Sequence, residues 1–141
     1  MSMTGGSGAR IQMPQLQTDA LLNQAAAVQN TWYTVLDTTK NVKIMFVLFR
    51  CTAVNETVQL RFTIDGLTRT LEQACVANTY YYARWGADAT TGANWYASLT
   101  VTADMNLMNP IEGRSIKIEM RKTTATGASA LQCRVPYSII P

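Results

Sequence analysis

Histidine is missing altogether from this chain of 141 residues, which removes Ser-His and Cys-His nucleophile pairs and every histidine-containing metal site. Charge is scarce at 15% of residues and nearly balanced, 12 Lys and Arg against 9 Asp and Glu for a net +3. The basic residues are scattered from Arg10 to Arg134, whereas a specific nucleic-acid binder would gather them on one face or helix. Cysteine stops at three, Cys51, Cys75 and Cys133, with no CxxC spacing. An odd count argues against a secreted disulfide framework and for a reducing compartment. Cys51 and Cys133 fall in apolar patterns, as small buried hydrophobes do. The longest apolar run, Ile44 to Phe49, falls far short of the ~18 residues of a membrane helix. The Met-Ser-Met-Thr-Gly-Gly-Ser-Gly start carries no apolar signal core. No Gly-rich phosphate cradle follows a strand. These absences leave no catalytic, cofactor-binding or metal-binding residues to nominate. The expectation is a soluble, non-enzymatic chain made in the cytoplasm, without cofactors, nucleic acid or membrane as partners.

What is present is strand pattern. Val58, Leu60, Phe62 and Ile64 alternate with Gln59, Arg61 and Thr63, a two-residue period with one apolar and one wet face. Asp65-Gly66 closes the run with a pair suited to a tight hairpin turn, and Leu67 to Glu72 returns as a polar strand. Thr31 to Asp37 is aromatic and β-branched. Val42 to Cys51 is nearly continuous in apolar character, which predicts a central strand covered on both faces. Further runs are Asn78 to Trp85, Trp95 to Thr102, Arg114 to Lys122 and Leu131 to Ile139. Pro136 in the last run suits a sheet edge, because it donates no hydrogen bond. Glu119 reads as facing outward, and Arg121-Lys122 as solvated charge at a strand end. About eight strands with turns between them predict an all-β antiparallel sandwich, jelly-roll-like in its strand spacing.

Residues 1–29 stand apart as an N-terminal arm ahead of a sandwich domain at 30–141. The arm is Gly-rich at its start and extended around Pro14. From Thr18 to Gln29 it reads either as a short helix capped by Thr18 or as a packed extended segment. Ordering so long a segment costs tens of kcal/mol at roughly 1–2 kcal/mol per residue. It must therefore lie on its own domain or on neighbouring subunits, and the candidate contact residues are Ile11, Met13, Leu16, Leu21, Leu22 and Val28. Aromatics concentrate at Tyr80, Tyr82, Trp85 and Trp95. Such a cluster serves as core and subunit interface or, if exposed, as a stacking platform for sugars in a carbohydrate-binding or adhesin-like module.

The opening strand Asn30-Thr-Trp-Tyr-Thr-Val-Leu-Asp37, the long apolar strand after it and Leu60-Arg-Phe-Thr-Ile-Asp-Gly66 together resemble the small β-sandwich structural proteins of tailed phages. The resemblance covers roughly residues 30 to 70. It implies a virion component with no active site: a capsid decoration, minor capsid or tail protein, assembled in the host cytoplasm. The partners so implied are copies of itself, with a trimer typical of the jelly-roll type, and other virion proteins such as the major capsid protein. In that setting the arm would clamp neighbouring subunits.

Overall fold

The computed structural model describes residues 18–85, 95–99, 111–125, 127 and 129–140. They form eleven strands: β1 Thr18–Gln24, β2 Tyr33–Thr38, β3 Val42–Ile44, β4 Val47–Cys51, β5 Glu56–Ile64, β6 Leu67–Cys75, β7 Tyr81–Trp85, β8 Trp95–Leu99, β9 Ile111–Gly113, β10 Ile116–Lys122 and β11 Leu131–Ile139. A four-stranded sheet runs β2-β10-β5-β6, and a seven-stranded sheet runs β8-β7-β4-β11-β3-β9, with β1 added along β11. All pairings are antiparallel. The two sheets close an apolar interior in a jelly-roll-like β-sandwich. The alternation in β5 puts Val58, Leu60 and Phe62 inside, where Ile116, Ile118 and Met120 of β10 meet them. Val42, Ile44, Val47, Phe49, Leu131 and Val135 line the opposite wall. Each such large side chain, closed to solvent, contributes roughly 1.5–3 kcal/mol of burial.

The β5–β6 hairpin turns at Asp65 (φ 50°) and Gly66 (φ 85°), between the paired Ile64 and Leu67. Two positive φ values in a two-residue loop match the twist of the strands. Asp65 does more than turn: its Oδ1 accepts from the backbone N–H groups of Arg114 (2.7 Å) and Ser115 (3.0 Å). That pins the hairpin to the β9–β10 corner.

Several expectations need correction. Thr18–Gln24 is a strand, not the start of a helix, because its backbone pairs residue for residue with Leu131–Tyr137 of β11. Val42 to Cys51 is broken. Ile44 pairs with Tyr137, but Leu48 pairs with Arg134, so one extra residue is inserted at Met45-Phe46. This bulge faces Pro136, whose carbonyl accepts from Met45 N–H at 3.0 Å. Pro136 therefore lies in an inner strand rather than at an edge, and its missing N–H falls where the bulge has already interrupted the ladder. The inserted residue also shifts the phase of burial: Val42 and Ile44 point inward before it, Val47, Phe49 and Cys51 after it. The intervening residues are half-buried, so the strand is not sealed on both faces. The split strand, with β1 and the short β9, accounts for the strands beyond the eight expected.

Candidate contact surfaces

β1 is an edge of the large sheet, as are β8 and β9 at the ends of its order. It has β11 on one side and, among the described residues, no strand on the other. Its inward residues Ala20 and Leu22 pack on the core, while Leu21 points out at 68% exposure. Asp19 on the same outer face pairs with Arg134 of β11 at 3.0 Å. Beside it, Leu21, Leu48, Tyr80, Gln132 and Arg134 line a shallow depression of about 280 Å³. Arg50 spans its rim, donating to Gln132 at 2.6 Å and lying 4.5 Å over the Tyr80 ring.

The outer face of the small sheet is polar but organised. Arg61 donates two hydrogen bonds to Glu119, at 2.8 and 2.9 Å. The guanidinium groups of Arg61 and Arg121 lie 4.1 and 4.4 Å from the centre of the Trp32 ring. Glu119 does face away from the core, yet these neighbours cover it to 6% exposure. The hydrogen bonds from Arg61 outweigh the opposing effect of burial and hold its carboxyl below the usual range. Arg121 is likewise tied down, by Gln59 at 2.8 Å.

One end of the sandwich is the chemically densest part. Lys122 occupies the inward position after Ile116, Ile118 and Met120, and Glu56 the inward position before Val58. Both are buried, and Lys122 Nζ lies 2.6 Å from Glu56 Oε2. Burial alone would raise the Glu56 carboxyl, but hydrogen bonds from Lys122 and Thr124 hold it below its ordinary value. Lys122 is thus not the solvated strand-end charge expected from its type. Ser129, also buried, donates to the Thr52 carbonyl. The loops around this end expose Val28, Val54 and Val76. Among the described residues, no group of three or more Cys, Asp or Glu could hold a metal ion.

Of the nominated contact residues, Ile11, Met13 and Leu16 lie outside the described residues. Leu21 and Val28 are exposed, and Leu22 is turned to its own core. Tyr80 is 39% exposed, but Tyr82 is buried and meets Phe46 edge-on at 5.7 Å, so its ring cannot stack a sugar. The backbones of Trp85 and Trp95 pair across β7 and β8. The Glu56–Lys122 pair went unread, although extending the alternation of β5 and β10 by one step would have placed both residues inside.

No family profile and no curated protein matches this chain. Among solved structures, it is similar to a chain from the pili of Bacillus endospore appendages at TM-score 0.45 and 9% identity, with 100% of both chains covered. It is also similar to a chain of infectious bursal disease virus, Gx strain, at TM-score 0.34 and 13% identity. That match covers 98% of this chain and 42% of the viral one, so the protein spans less than half of its length. At these TM-scores neither likeness bears on function.

Proposed function

We propose that this chain is a non-enzymatic structural protein of a virion, a capsid decoration or minor capsid protein, that joins copies of itself and neighbouring capsid subunits through the β1 edge and the segment leading into it. The observation that carries the reading is the outer edge of β1, unpaired among the described residues, with Leu21 exposed upon it. An unpaired edge presents a row of backbone donors and acceptors to any strand that arrives. Natural edges are usually blunted by Pro, lysine or a bulge; β1 reads Thr-Asp-Ala-Leu-Leu-Asn-Gln and has none of these. Its one acidic residue is occupied by Arg134 of the same sheet. Residues 1–17 enter the domain through this strand, so a partner engaged by them is delivered to the same edge.

The test is sedimentation velocity of the full chain over a concentration series, against a chain lacking residues 2–17 and against Leu21→Glu. Covering Leu21 in a contact is worth roughly 1.5–3 kcal/mol. Leu21→Glu is therefore expected to weaken self-association about tenfold or more while leaving the melting temperature in place. Association unchanged in both variants would defeat the reading.

A further inference from the structure

The sandwich holds a thiol pair that the contact reading does not use. Cys51 ends β4 in the large sheet and Cys75 ends β6 in the small one, so the two face each other across the gap between the sheets. The Cys51 sulfur lies 3.8 Å from the Cys75 carbonyl oxygen and 3.4 Å from that of Val54. Asn78 N–H donates to the Cys51 carbonyl at 2.8 Å, which returns the chain after Cys75 to the strand bearing Cys51. Both sulfurs are buried, but Cys75 also lines a surface depression of about 190 Å³ with Glu56, Val76 and Thr124. A small oxidant therefore approaches the pair from the Cys75 side, with Cys51 fully buried behind it.

We propose that Cys51 and Cys75 are an oxidisable site that forms an intrachain disulfide linking the two sheets when the protein meets hydrogen peroxide. The Cys51 thiolate attacks one peroxide oxygen, the O–O bond breaks, and the departing oxygen leaves as water after taking a proton. Cys51 is then a sulfenic acid, oxidised by two electrons. The Cys75 sulfur attacks the Cys51 sulfur, the S–S bond forms and the S–O bond breaks. The hydroxide leaves with the Cys75 proton as a second water. Two thiols and one peroxide thus give one disulfide and two waters. The neighbouring Cys75 thiol draws the Cys51 thiol down to about 7, against the effect of burial, and is itself raised. The direction of the two shifts makes Cys51 the nucleophile of the pair. Cys133 is the contrast: burial raises its thiol, as expected of a packing residue.

The experiment treats the folded full chain with hydrogen peroxide, quenches with catalase, unfolds it and alkylates the free thiols. The expected product is about 2 Da lighter than the reduced protein, takes up alkyl groups at Cys133 alone, and gives a Cys51–Cys75 linked peptide on non-reducing digestion. It should melt on the order of 10 °C higher than the reduced form, because the bond closes a loop of moderate length in the unfolded chain. In Cys75→Ser, peroxide should leave a dimedone-reactive sulfenic acid at Cys51. Three alkylatable cysteines after treatment, a link involving Cys133, or a disulfide between two chains would overturn the proposal. This outcome is independent of whether Leu21→Glu dissociates an assembly.

Discussion

Replacing Lys122 by Met tests the buried end of the sandwich most severely. The substitution keeps the length and apolar stem of the side chain and removes the charge that faces Glu56 at 2.6 Å. Glu56 then remains in the interior at 5% exposure with the Thr124 hydroxyl as its donor. Stranding one member of a buried pair costs about 3–5 kcal/mol. A domain of this size has on the order of 5–15 kcal/mol of stability in all, and the melting temperature should drop by roughly 10 °C or more. Urea unfolding at pH 7 reads the loss as a lower midpoint. The pH dependence supplies the internal check. In the parent, the Glu56 carboxyl is held below its ordinary value of 4.5. Its contribution is therefore complete above that pH and lost as pH falls through the lower, folded value. In Lys122→Met the carboxyl gains most by becoming neutral, so the stability gap between variant and parent should narrow in acid. Joining Glu56→Leu to Lys122→Met removes both charges and should recover much of the loss. A gap under about 1 kcal/mol at pH 7, or a double variant costing the sum of its singles, would refute the assignment.

Three further outcomes follow from the packing. A Cβ at Gly113 would sit 2.9 Å from Ile116 Cγ1 and 3.0 Å from Ile64 Cγ2, so Gly113→Ala should destabilise by about 1–3 kcal/mol in thermal unfolding. Trp32→Ala removes the ring beneath both Arg61 and Arg121 and should cost about 1–2 kcal/mol, with Glu119 becoming easier to protonate by NMR titration. Asp65→Ala strips the acceptor from two backbone N–H groups and should lower stability by about 1 kcal/mol, visible as faster hydrogen exchange at Arg114 and Ser115.

The sandwich was legible wherever the chain follows one period without interruption. Val58 to Ile64, its Asp65-Gly66 turn and Ile116 to Met120 read correctly, because alternation and turn chemistry are both local properties. The bulge at Met45-Phe46 was not legible, since Pro136, which it faces, lies in a strand far along the sequence. At Thr18–Gln24 the choice between helix and extended segment stayed open for the same reason. The adjacent leucines suit a helix stripe or a strand equally well, and only the ladder to β11 decides. Glu56 and Lys122 show a different failure. Their types suggested solvent while their parity placed them inside, and parity prevailed because each supplied the other with a partner. Glu119 reverses the case: its parity was read correctly, but the Arg61, Arg121 and Trp32 cluster that covers it is assembled from two strands and a loop.

Hydrogen exchange of β1 as a function of protein concentration tests the central claim most directly. The β1 amides that point away from β11 should exchange quickly in dilute solution and become protected as the chain assembles, while those of β5 stay unchanged. Exchange in β1 that is indifferent to concentration, with protection gained at some other surface of the same assembled sample, would contradict a structural protein joined through this edge.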